Sequence, residues 1–173
     1  CFFAIALLGA VSVPINARYR GDELGFVVEN ADIKAIVTQG RVTDGLDFVA
    51  RLNEAIPALS AQPVNADLDL PNMPVLKRLI LIGSDETPGF TTDAAFREIA
   101  ETVPAETIDA LRNRVRVRDT ALMLYTSGTT SHPKGCMISH ESLIRTGQAM
   151  AKRYDMTEDD VFSGPLPMYH ISR

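Results

Sequence analysis

Residues 121–135 read ALMLYTSGTTSHPKG. The first five are apolar or aromatic without a break, which predicts a parallel strand covered on both faces. From Tyr125 to Gly135 the chain then carries five Ser and Thr side chains, Gly128 and a single lysine, Lys134. A loop directly behind such a strand sits where open parallel sheets place ligands, beyond the carboxyl ends of the strands. Gly128 lets backbone amides approach a ligand closely. Thr126, Ser127, Thr129 and Thr130 add hydroxyl donors, and Lys134 adds a mobile positive charge. Donors plus a cation, with no acid among them, describe a polyphosphate site. Pro133 stiffens the chain before the lysine and limits the entropy lost on binding. A helix expected from Ser139 to Tyr154 would add favourable potential at its N-terminus. The intervening GCMI is open to being another strand, which would point that helix end elsewhere.

Outward from the loop, the pattern is α/β. CFFAIALLGA reads as a helix ending near Gly9, and AVSVPI as a short buried strand stopped by proline. A helix follows, with Asp22 and Glu23 at its N-terminal end and Leu24, Val27 and Val28 on one face. Ile33–Thr38 reads as a strand closed by Gly40. This helix–strand–helix–strand rhythm is that of a parallel sheet. Residues 43–58 suit another helix, and PALSAQPVNADLDLPNMP a long surface connection. Leu76–Gly83 reads as a strand, SDETPGFTT as a turn and DAAFREIAETV as an exposed helix. RNRVRVRD reads as a half-exposed strand or helix edge with solvated arginines, an anion-binding stripe being the alternative. In the helix after the loop, Ser139 is the expected N-cap. Leu143, Ile144, Gly147, Met150 and Ala151 fall on one face, with Met150 in the core. DDVFSGPLPMYH reads as a further strand entering a loop.

Bulk properties limit the function classes. A chain of 173 residues, 46% apolar and 23% charged, has ordinary globular composition and length for about one domain. A net charge of −5 offers no basic field for nucleic acid. Cys1 and Cys136 match no metal spacing and suggest a reducing, cytoplasmic setting, with Cys136 read as a small buried hydrophobe. CFFAIALLGAVSVPI is interrupted by Gly9 and Pro14, lacks a basic leader and is shorter than a membrane helix requires. No transmembrane segment is expected, and the sequence leaves the oligomeric state open. Both ends of the chain read as the ends of a fragment.

The nearest general motif is G-x-x-x-x-G-K-[ST]. Counting from Gly128, Lys134 is in register, but Pro133 stands where glycine is needed and Gly135 where a magnesium-binding hydroxyl is needed. A P-loop NTPase is therefore rejected. On spacing alone, a hydroxyl-rich turn with a solvated lysine remains the competing reading.

YTSGTTSHPKG followed by MISH closely resembles the signature loop of the AMP-forming acyl-CoA synthetases of the adenylate-forming superfamily, which also holds luciferases and peptide-synthetase adenylation domains. GAVSVPINARYRGDELGFVVENADIKAIVT and PLPMYHIS resemble the segments that flank that loop. Ser131 departs from the family pattern, which usually has glycine there. The resemblance implies the acyl-CoA synthetase/luciferase-like fold, with parallel-sheet subdomains flanked by helices, and residues 1–173 as a partial N-terminal AMP-binding domain, truncated at both ends. It implies that Thr126, Ser127, Gly128, Thr129, Thr130 and Lys134 wrap the β- and γ-phosphates of ATP. Lys134 and His170 take catalytic roles, Thr129 serves Mg²⁺, and Tyr169 and His170 border the carboxylic acid. Coenzyme A is the implied acyl acceptor; a carrier protein or luciferase-like oxidation is the alternative. His140 reads as a packing or capping group and His132 as solvated. The family's adenine-binding segment and its C-terminal domain with a catalytic lysine have no counterpart here. The fragment alone is therefore expected to be inactive, or a nucleotide-binding module at most.

Overall fold

The computed structural model describes residues 1–43, 45–83, 86–126 and 132–161. In chain order its elements are α1 (Phe2–Leu7), α2 (Gly21–Asn30), β1 (Ala35–Gln39), β2 (Arg41–Thr43), β3 (Leu46–Asp47) and α3 (Phe48–Ala55). A 3-10 turn, Pro57–Ala61, precedes β4 (Arg78–Ile82), β5 (Thr91–Thr92), α4 (Asp93–Glu101) and α5 (Ala105–Arg112). β6 (Thr120–Tyr125), β7 (Gly135–Ser139) and α6 (His140–Arg153) complete the described elements. They fall into two compact units: Ala17–Pro104 with Gly128–Pro133, and Cys1–Asn16 with Ala105–Ser127 and Lys134–Arg173.

The first of these is built on a parallel sheet of order β1-β4-β5. β4, RLILI, is the middle strand, and Leu79, Ile80 and Leu81 are all buried. A continuous apolar run is what a strand covered on both faces requires. β1 is an edge strand that buries Ile36 and exposes Val37. α2 buries Leu24, Val27 and Val28, the face its spacing predicts. α4 buries no residue and lies on the exposed side, as its pattern predicts. Two expectations change here. The helix read over residues 43–58 is shorter, because the antiparallel pair β2–β3 takes up its first turns and Asp47 caps α3 by accepting from the Ala50 amide at 2.9 Å. The connection read as a surface loop is partly core, since Leu59, Leu68 and Leu70 are buried. Its Pro, Asn and Asp residues turn the backbone while the leucines between them point inward.

The second unit holds α1, α5, β6, β7 and α6. β6 and β7 form an antiparallel hairpin with Tyr125 opposite Gly135 and Thr120 opposite Ser139. The expected strand AVSVPI contracts to a single parallel bridge. Its Ser12 amide donates to the Ala121 carbonyl at 2.9 Å and its carbonyl accepts from the Met123 amide at 2.8 Å. β6 buries Ala121, Leu122, Leu124 and Tyr125 as expected, but its long partner is antiparallel. RNRVRVRD forms no strand: Arg112 closes α5, and residues 113–119 lie outside helix and strand. It leaves α5 through a turn in which Asp119 Oδ2 accepts from the Arg116 amide at 2.7 Å.

α6 begins where expected, with the Ser139 hydroxyl accepting from the Ser142 amide at 3.2 Å. Its apolar face is not core. Ile144 and Met150 are 52% and 50% exposed, and no residue of the helix is buried. Cys136 likewise is exposed rather than buried, on β7, the outer strand of a two-stranded sheet. Periodicity identifies which face is apolar and not what lies against it. The strand read in DDVFSGPLPMYH falls largely outside the described residues. Among the described residues, no helix is long and apolar enough to cross a membrane.

Candidate functional site

The hydroxyl loop springs from the β6–β7 hairpin. One rung beyond the Tyr125–Gly135 pair, the Thr126 amide donates to the Lys134 carbonyl at 3.0 Å. That bond closes the neck of the loop and sets Thr126 beside Lys134, both exposed. Among the described residues Lys134 makes no ion pair, so its ammonium is open to an anionic ligand.

One packing feature holds this neck. A Cβ added to Gly135 would lie 3.0 Å from Met123 Sδ, 3.2 Å from Tyr125 Cζ and 3.3 Å from Tyr125 Oη. The Tyr125 ring therefore rests against the Gly135 backbone, which links the first and last residues of YTSGTTSHPKG. On the lysine side of the loop, Pro133 is buried. Its neighbour His132, read from sequence as simply solvated, stays exposed but stacks on Phe26 of α2 with ring centroids 4.3 Å apart and planes 16° from parallel. Sequence reasoning missed both contacts, because neither Gly135–Tyr125 nor His132–Phe26 has a local pattern. The only sequence signal was aromatic and glycine residues at the ends of the motif.

The helix N-terminus does not join the site. GCMIS is strand β7, and its last residue pairs with Thr120 at the opposite end of the hairpin from Lys134. A strand of this length carries the start of α6 roughly 15 Å from the neck. The helix field falls off within about a turn of its end, so it adds little there. His140 sits at that far end. Its amide donates to the Asp119 carbonyl at 3.1 Å, and its Nε2 is buried without a hydrogen-bond partner among the described residues, which fits a packing role.

Of the residues assigned to the site from sequence, the structure brings Thr126 and Lys134 together. Ser127, Gly128, Thr129, Thr130, Tyr169 and His170 lie outside the described residues. Among the described residues no three His, Cys, Asp or Glu side chains converge as a metal site.

The parallel sheet with helices packed on it makes this an α/β protein, and its solved neighbours show the acyl-CoA synthetase/luciferase-like fold. The N-terminal domain of FACL13 from Mycobacterium tuberculosis, solved with an inhibitor bound, is 26% identical and superposes with a TM-score of 0.58, covering 98% of this chain and 35% of that one. The family model described as AMP-binding enzyme matches residues 1–173, and the chain belongs to that family. Its curated relatives include a putative acyl-CoA synthetase, YngI, of Bacillus subtilis (strain 168), 31% identical over 97% of this chain and 30% of its own length. A crotonobetaine/carnitine–CoA ligase of Salmonella agona (strain SL483) is 29% identical over 99% of this chain and 29% of its own. The chain thus spans about three-tenths of the length of these relatives.

Proposed function

We propose that the protein carrying this chain is an ATP-dependent carboxylic acid:CoA ligase, and that residues 1–173 are part of its N-terminal nucleotide-handling domain. One observation carries the reading: the backbone hydrogen bond between the Thr126 amide and the Lys134 carbonyl, which sets these two exposed residues side by side at the neck of the loop, with no ion pair at Lys134 among the described residues. The names of the relatives, an acyl-CoA synthetase and a CoA ligase, support coenzyme A as acceptor.

In this reading a carboxylate oxygen attacks the α-phosphorus of ATP, the bond to the β-phosphate oxygen breaks, and pyrophosphate leaves. Negative charge grows on the leaving pyrophosphate. The hydroxyls of Thr126, Ser127, Thr129 and Thr130, the amide at Gly128 and the Lys134 ammonium stabilise that charge where it develops. The Thr129 hydroxyl is a hard oxygen donor of the kind Mg²⁺ accepts beside phosphate oxygens, and the ion would neutralise part of the phosphate charge. Tyr169 and His170 border the acid. The coenzyme A thiol then attacks the acyl carbonyl and AMP leaves. The 173-residue chain alone is inactive in this account, which its three-tenths coverage of the relatives supports. A cytoplasmic location belongs to the same reading, and two unbridged cysteines fit a reducing compartment.

Carboxylate-dependent ATP–pyrophosphate exchange tests the first step, and AMP formation with and without coenzyme A tests the second. Lys134→Ala is expected to lower kcat/KM for ATP by about 10- to 100-fold, the range for a lost hydrogen bond to a charged group. Unchanged exchange would contradict the phosphate role. AMP turnover indifferent to coenzyme A would move the acceptor to a carrier protein or to an oxidative reaction.

A further inference from the structure

We propose that Tyr125 is a positioning residue for Lys134: its ring backs the Gly135 backbone and so sets where the neighbouring lysine stands, an inference that rests on the phosphate role given to Lys134. Tyr125, Thr126, Lys134 and Gly135 all belong to the second unit. Tyr125 stands directly opposite Gly135 across the hairpin, and Met123, two residues earlier on β6, shares its face. Met123 Sδ, Tyr125 Cζ and Tyr125 Oη lie 3.0, 3.2 and 3.3 Å from where a Gly135 Cβ would be. Two side chains of β6 thus fill the place of the one that β7 lacks. A glycine inside a strand weakens it and often marks a close approach to the backbone. Here the approaching group is an aromatic ring that is itself fixed, since Tyr125 is buried.

The backbone of Lys134 is therefore held twice. Its carbonyl accepts from the Thr126 amide at 3.0 Å, and the residue that follows it is pressed against the ring. Little else steadies this end of β7. Among the described residues β6 is its one strand neighbour, and the helix that follows, α6, buries no residue. The Lys134 side chain makes no ion pair among the described residues, so what is fixed is the base of the lysine and not its ammonium. A base ordered in advance loses less entropy when an anion binds. Tyr125 acts through Lys134.

The test is a double-mutant cycle in the whole protein, reading kcat and the KM values for ATP and for the carboxylic acid in pyrophosphate exchange. Gly135→Ala forces the strand off the ring by a few tenths of an ångström, and Tyr125→Leu keeps apolar volume while removing the flat face. Each is expected to raise KM for ATP about three- to tenfold, a fraction of what a full 1 Å misplacement costs, with a smaller change in kcat. KM for the acid should stay at its wild-type value, which a general loss of structure would not allow. The double variant should be no worse than the single ones, because both remove the same contact. Tyr125→Phe returns a ring to the glycine and should keep the wild-type KM for ATP. An unchanged KM for ATP in Tyr125→Leu, an equal rise in both KM values, additive effects in the double variant, or a Tyr125→Phe variant no better than Tyr125→Leu would each overturn the proposal. Lys134→Ala assayed in parallel separates the two claims. If Lys134→Ala weakens ATP use and the ring variants do not, the positioning role alone falls. If Lys134→Ala changes nothing, the phosphate role falls and the positioning role with it.

Discussion

Gly89 has φ at +78°, and a Cβ there would lie 2.8 Å from the Leu59 carbonyl oxygen. That oxygen is backbone, so it cannot swing aside as a side chain would. Gly89→Ala is expected to destabilise the unit by about 1–3 kcal/mol, read as a fall in the urea midpoint. An unchanged midpoint would mean the turn can shift without cost. Tyr19 is buried, and burial first, then the nearby Glu23 carboxylate, raises its phenol above the ordinary value of 10.0. Folding then favours the neutral phenol. The resulting stability is fully present below pH 10.0 and is lost as the pH climbs through the folded value. Tyr19→Phe should flatten that alkaline limb, and an alkaline loss of stability identical in Tyr19→Phe and wild type would assign it to other groups. Neither residue announces this in the sequence. PGF gives a turn, but only the path of Leu59 shows why its glycine cannot change.

Elements were more legible than contacts. The run RLILI and the spacing of Leu24, Val27 and Val28 gave strand and helix where they occur, because burial on one face or two leaves a periodic trace. Ser139 gave the start of α6 for the same local reason. That cap matters more than usual, since α6 buries no residue and relies on its own hydrogen bonds, including the Glu141–Arg145 ion pair at 2.8 Å. Ser139→Ala should cost about 1 kcal/mol and lower helicity by circular dichroism, while unchanged helicity would show the helix held by other means. The partner of β6 was less legible. An unbroken apolar strand says that both faces are covered and nothing about the direction of its neighbour. The antiparallel hairpin therefore had to come from the structure, and with it the removal of the helix end from the loop. α5 was missed because RNRVRVRD drew attention to the alternating tail and away from AETIDALR before it.

At the scale of the whole molecule, the sequence marked Met150 and Cys136 as buried, and both are exposed. Composition and periodicity report how apolar a face is, while cover depends on what else folds with it. The family was legible because YTSGTTSHPKG is long and specific, and the match over residues 1–173 bears it out. The particular acid was not legible, because the phosphate loop handles ATP whatever acid is activated. The most direct measurement of the central claim uses an ATP acyl-phosphate, which acylates a lysine lying at the terminal phosphate. Applied to the whole protein and mapped by mass spectrometry, it should label Lys134, and excess ATP should suppress that labelling. Labelling of Lys34, Lys77 or Lys152 with Lys134 untouched, or labelling of Lys134 indifferent to ATP, would contradict the account.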